Sequence, residues 1–132
     1  MAKAKHKLKE IAGFFDYYAS EDGTIWSTKI SPRYNPTGEL RLIRPRVHPS
    51  GYLYYGLFVG KGPNRQRLWR RGHRLVYFTF NGKIPYFDKN GKQLDVDHIN
   101  KDRHDNSLAN LRLVTHSYNC KNRKPRTCKG LK

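Results

Sequence analysis

The chain has 132 residues, enough for one ordinary domain and too few for two large cores. Its 27 lysines and arginines stand against 10 acidic residues, a formal charge of +17 that repels itself until a polyanion neutralises it, so nucleic acid is the first partner to consider. No run approaches the roughly 20 apolar residues of a spanning helix and no charged-apolar-small pattern marks a secretory leader, so a soluble cytoplasmic protein without a membrane partner is expected.

Residues 1–10 are basic and read as a flexible arm. Strand signals follow over residues 24–28, 40–47 and 52–59, ended in turn by Ser31-Pro32, Pro49-Ser50-Gly51 and Gly60-Lys61-Gly62-Pro63. Residues 66–69 can pair back on the third strand, which suggests one small twisted antiparallel sheet. Over residues 71–81, Leu75, Val76, Thr79 and Phe80 recur at helical spacing while the aromatic and β-branched content favours a strand; the spacing predicts a helix. Asn90-Gly91 is a tight-turn signal leading into a short strand over residues 93–97, and residues 111–115 form a second. Thr115 or Ser117 can cap a short helix running to about Arg123, where Pro125 stops it. The pattern is α+β: a β-rich region over residues 11–81, a strand-loop-strand-helix unit over residues 82–124 and a basic tail over residues 125–132.

Charge is unevenly distributed. From residue 41 to residue 87 there is no aspartate or glutamate, while Arg41, Arg44, Arg46, Lys61, Arg65, Arg67, Arg70, Arg71, Arg74 and Lys83 all fall there. A solvated face normally mixes signs, so the eight arginines of this block, with Lys121 and Arg123 near the end, are expected to bind phosphates of double-stranded DNA. The interleaved aromatics Tyr52, Tyr54, Tyr55, Phe58 and Trp69 read as core and cross-strand packing. Asp88, Asp95, Asp97, Asp102 and Asp105 are instead crowded into the next stretch, and carboxylates gathered in a polyanion-binding protein usually hold a cation.

Placed on these elements, Asp97 and His98 end one strand and Asn119 lies on the helix that would fold back across it. A carboxylate and an amide oxygen can meet one hard cation such as Mg2+, and a neighbouring imidazole titrates near enough to neutrality to take a proton from water. Asp102 and Asp105 read as loop-capping residues. His104 reads as exposed in the loop, His116 as a surface or phosphate-contacting residue, and His73 as either packing or touching DNA.

The run Asp97-His98, then Asn106, Asn110-Leu111-Arg112, Val114-Thr115, Asn119 and Asn122 resembles the HNH (ββα-metal) nucleases, in particular the homing endonucleases of phages and group I introns. Upstream, residues 18–27, Arg44-Pro45, Gly51-Tyr52-Leu53 and His73-Arg74-Leu75-Val76 are similar to a modular DNA-binding region found ahead of such nucleases, so the resemblance covers residues 11–124. It implies a phosphodiester hydrolase with Asp97 and Asn119 on one metal ion. His98 is implied as general base, and Asn110 as the asparagine that ties the loop together and orients the histidine. Two oxygen ligands favour Mg2+ or Mn2+ over zinc. Asn122, one helical turn on, is a rival to Asn119. One site per chain suits a monomer that nicks one strand, with no small-molecule substrate. Two other readings remain. One is a non-catalytic basic nucleic-acid-binding protein. The other is a zinc adaptor using Cys120, Cys128, His104 and His116, against which the two cysteines read simply as free thiols.

Overall fold

The computed structural model describes residues 7–122, and within that span the N-terminal strands form two antiparallel sheets where a single one was expected, with the expected C-terminal strand pair as a third. The first contains β1 (Leu8–Glu10), β2 (Tyr17–Ser20), β3 (Ile25–Ser27) and β4 (Arg41–Ile43), hydrogen-bonded in that order. β1 belongs to the arm expected to be flexible; Leu8 pairs with Ser20 and Glu10 with Tyr18. Three residues are too few for an alternating pattern to show, so only the pairing reveals this strand. Residues 1–6 of that arm, and Arg123 with the tail 125–132, lie outside the described residues.

The second sheet contains β5 (Arg46–Val47), β6 (Leu53–Val59) and β7 (Gln66–Arg71). The strand expected over residues 40–47 is broken into β4 and β5 at Arg44-Pro45, because proline has no N–H to give to a ladder. Gln66 pairs with Val59 and Arg71 with Tyr54, so β7 does fold back on β6. Alternation along β6 sends Tyr55 and Leu57 into the core and Tyr54, Gly56 and Phe58 to the other face.

Helix α1 (Gly72–Asn81) follows β7 without a break and buries Gly72, His73, Leu75, Val76 and Thr79 on one side. It stops at Gly82, whose φ of 85° suits glycine and whose N–H bonds to the Phe78 carbonyl at 2.8 Å. The third sheet is a hairpin of β8 (Leu94–His98) and β9 (Leu111–Thr115), followed by α2 (His116–Asn122). Thr115 caps α2, its hydroxyl accepting from Tyr118 N at 3.2 Å.

One core joins these parts. Ile11, Tyr17, Ala19 and Ile25 come from the first sheet and its flank, Tyr55 and Leu57 from the second, Leu75 and Val76 from α1, and Val96 and Leu111 from the hairpin. α1 touches β1 and β2 of the first sheet, β6 and β7 of the second, and β8 and β9 of the hairpin, so it joins the N-terminal strands to the hairpin. Among the described residues no helix is long and apolar enough to cross a membrane.

Candidate active site

The loop between β8 and β9 is held by its own polar side chains. Asn110 accepts from Asn100 N at 3.0 Å and donates to Asn100 Oδ1 at 3.0 Å and to the Asp105 carbonyl at 2.8 Å. Asp102 and Asp105 turn back on their own backbone, receiving His104 N at 3.0 Å and Ser107 N at 3.2 Å. Lys101 sits at φ 65°, in the left-handed region that this tight path requires. His104 is exposed on the loop.

His98 closes β8 with its side chain turned inward, 4 % exposed, against His73 (ring centroids 4.8 Å) and Tyr52 (6.0 Å). Its Nε2 lies 2.8 Å from Asn106 Oδ1. The side chain that meets the ring is Asn106, four residues before Asn110, whose own amide is engaged by Asn100 and Asp105. Nδ1 of His98 has no hydrogen bond to another described residue. Burial lowers the pKa of the ring, outweighing the Asn106 contact and the Asp97 charge that pull it up, so the imidazole is neutral near pH 7.

Asp97 points to the opposite face of the hairpin, together with Asp95 two residues before it. The two carboxylates have different partners. Asp97 Oδ2 is paired with Arg112 Nε at 2.9 Å across the ladder, whereas Asp95 Oδ2 receives Asn119 Nδ2 at 3.0 Å and lies 2.7 Å from His116 Nδ1. Burial raises the Asp95 pKa, but the bonds from Asn119 and His116 prevail and leave it below its usual value. Asn119 therefore meets Asp95 directly, and Asp97 only as its neighbour on the same face. No three His, Cys, Asp or Glu side chains converge at metal-binding distance among the described residues. The donor chemistry of the face nonetheless fits a hard divalent ion. Arg112 occupies one oxygen of Asp97 and Asp95 occupies the amide nitrogen of Asn119, which leaves a carboxylate and an amide oxygen for a cation. The Asn122 side chain and Cys128 fall outside what is described; Cys120 Sγ lies 3.5 Å from His116 Nε2.

The arginines are not evenly spread. Arg46, Tyr54, Phe58, Arg67, Trp69 and Arg71 share the outer face of the second sheet, since residues directly paired across a ladder point the same way. Arg46 and Arg67 lie over the Trp69 ring at 5.0 and 4.6 Å, Arg65 lies over Phe58 at 3.9 Å, and Arg71 donates to Tyr54 Oη at 2.7 Å. The expectation that these aromatics are packing holds for Tyr55, which is buried; Trp69, 37 % exposed, instead carries arginines. Arg70 lies on the other side of β7, 5.9 Å over Phe14, Arg41 and Arg44 are exposed around the first sheet, Arg74 is half-buried on α1 and Lys121 is exposed on α2.

Two residues had no expected role. Asp95 could have been found from strand alternation, which places it beside Asp97. Asn106 stood in the motif, but nothing in its spacing says that its amide meets the histidine.

Comparison with protein families matches residues 70–121 to the HNH endonuclease model, a span that begins at the end of β7 and takes in α1. Among solved structures, that of the HNH homing endonuclease I-HmuI, described for its DNA binding and cleavage, superposes with a TM-score of 0.61 at 26 % identity over 88 % of this chain. The present chain spans 56 % of that one. The search of curated proteins returns no match. Residues 70–121, from the end of β7 through α1 and the hairpin, are thus similar to an HNH endonuclease model, and the fold over most of the chain is similar to that of an HNH homing endonuclease.

Proposed function

We propose that the protein is a metal-dependent endonuclease that hydrolyses phosphodiester bonds of duplex DNA and, with one site per chain, works as a monomer that nicks one strand. The observation that carries this reading is the state of His98: a neutral imidazole with Nε2 held by Asn106 and Nδ1 without a hydrogen bond to any described residue, next in sequence to a carboxylate on the opposite face. A ring in that state can take a proton from water. As it does, the water oxygen bonds to phosphorus, the bond from phosphorus to the 3′-oxygen breaks, and that oxygen picks up a proton from solvent. The products are a 3′-hydroxyl and a 5′-phosphate. Asp97 and Asn119 would hold Mg2+ or Mn2+, with Asp95 fixing the Asn119 amide. When bound, such an ion offsets the charge that develops on the phosphate and the leaving oxygen. Arg112, paired with Asp97 across the hairpin, brings a guanidinium to the same face for a phosphate oxygen. The outer face of the second sheet, with Arg46, Arg65, Arg67 and Arg71, supplies the contacts along the DNA backbone. A structurally similar protein that binds and cleaves DNA supports the same reading.

The test is a time course on supercoiled DNA with Mg2+, Mn2+ or chelator. Nicked circles should accumulate only with a divalent ion. His98→Ala should lose about 100-fold or more in rate, the scale of a general base, with DNA affinity kept within a few-fold. Asp97→Ala should raise the metal concentration needed more than Asn119→Ala does, because it removes a charged ligand. Cutting by His98→Ala at the wild-type rate would place the base elsewhere.

A further inference from the structure

Asn106 is 3 % exposed, and its two amide atoms have opposite fates. Oδ1 lies 2.8 Å from His98 Nε2, while Nδ2 is the buried side-chain polar atom that has no hydrogen-bond partner among the described residues. Leaving a buried donor unsatisfied is destabilising, so the amide is held in place for what its other end does. The surrounding backbone holds it there. A Cβ on Gly72, at the start of α1, would fall 2.6 Å from Asn106 Nδ2 and 2.7 Å from Tyr55 Cε1, so only glycine lets the amide lie against the helix. From the other side, a Cβ on Gly23 would fall 2.7 Å from Ser107 N, and Leu108 N bonds to the Glu21 carbonyl at 2.8 Å. The turn between β2 and β3 therefore fixes the backbone on which Asn106 stands.

We infer that Asn106 is a positioning residue whose amide oxygen holds His98 in the tautomer protonated at Nε2, which leaves Nδ1 as the nitrogen that takes the proton from water. This rests on the reading of His98 as the general base and adds to it the choice of nitrogen and the group that makes the choice. An amide oxygen accepts and cannot donate, so Nε2 must bring the hydrogen. The reversed amide would place a donor on Nε2 and drive the proton to Nδ1, and the ring would then have its lone pair covered by the asparagine and nothing to offer water. Asn110 cannot substitute, because both ends of its side chain are engaged within the loop.

The tautomer is read directly from the two ring 15N shifts of His98 by NMR at a pH where the ring is neutral. The variants are Asn106→Leu, which removes the acceptor, and Asn106→Asp, which keeps an oxygen there. The expected wild-type spectrum shows a bare Nδ1 and a protonated Nε2. Asn106→Leu should lose that preference and cut roughly 10- to 100-fold more slowly in single-turnover assays at saturating protein, the usual cost of removing the group that orients an active imidazole, with DNA affinity within about two-fold. Asn106→Asp should retain the tautomer and most of the rate. A proton on Nδ1 in the wild type overturns the inference, and so does a folded Asn106→Leu protein that cuts at the wild-type rate. If Asn106→Leu fails to fold, the wild-type spectrum still decides. Full activity of His98→Ala would sink the role of His98 in catalysis while leaving the tautomer result standing, so the two failures are distinct.

Discussion

His73 stacks on Tyr52 with ring centroids 5.1 Å apart and is 4 % exposed, with His98 beside both rings and Arg71, Arg74 and Arg103 nearby. Burial first, and those positive groups second, push its pKa from 6.5 down to about 2. The unfolded chain therefore takes up a proton at this residue below about pH 6.5 while the folded chain does not. Stability linked to His73 is intact above that pH and falls as the solution is acidified, by up to about 1.4 kcal/mol per pH unit. His98 is shifted in the same direction and adds to the slope. Urea unfolding at pH 7.5 and 5.5 should show the loss, and His73→Phe, which keeps a ring against Tyr52, should make it shallower. Identical pH dependence in the two proteins would mean that His73 is protonated in the fold. The sequence left this histidine open between packing and DNA, since an apolar run after it fits both. It also assigned the orienting role to Asn110 and not to Asn106. Motif spacing identifies the asparagines of the loop, but the path set by Lys101 and the bonds among Asn100, Asp105 and Asn110 decides which amide meets the ring.

β6 and β7 were readable as a hairpin because two strand-forming runs flank the Gly60-Lys61-Gly62-Pro63 turn, but such runs do not say which face is covered. The face with Tyr55 and Leu57 is in the core, and the other presents Arg46, Arg67 and Arg71 against Trp69 and Tyr54. An arginine resting on a ring keeps its charge and donors with fewer rotamers to lose on binding phosphate. Removing the charge and removing the ring should therefore act differently. Arg46→Ala with Arg67→Ala should weaken binding across sequences and lower the slope of log affinity against log salt by roughly 0.9 for each phosphate that is no longer neutralised. Trp69→Leu leaves the charge in place, so it should weaken binding with the slope unchanged. Fluorescence anisotropy on one duplex over a range of NaCl concentrations reads both quantities. If the double variant keeps the wild-type slope while deletion of residues 127–132 reduces it, the tail is what neutralises the DNA backbone.

At the scale of the whole molecule, the reading by segments and the packing suggest different units. The sequence divides at residue 82, where the helical pattern ends and a turn-rich stretch begins, and the family match begins at residue 70. Neither position separates the core, because Val96 and Leu111 of the hairpin bury against the same cluster as Ile11, Ile25, Leu57 and Val76. Packing between segments far apart in sequence leaves no local pattern, so the shared core could not be read from the chain. The hairpin with its seven-residue helix is too small to cover those side chains alone, and isolated two-stranded units are marginal in water. We therefore expect residues 82–132, expressed alone, to show no cooperative unfolding and no cleavage. Residues 70–132 gain α1, yet Gly72 and His73 would then lack Tyr55 and Tyr52, and Asn106 would lose the turn around Gly23 that backs it. That fragment should also fail by thermal melting followed by far-UV circular dichroism, while the full chain melts in a single transition. Should residues 70–132 melt cooperatively and still nick DNA, the matched span is an independent nuclease, and the N-terminal strands act only as a DNA-binding attachment.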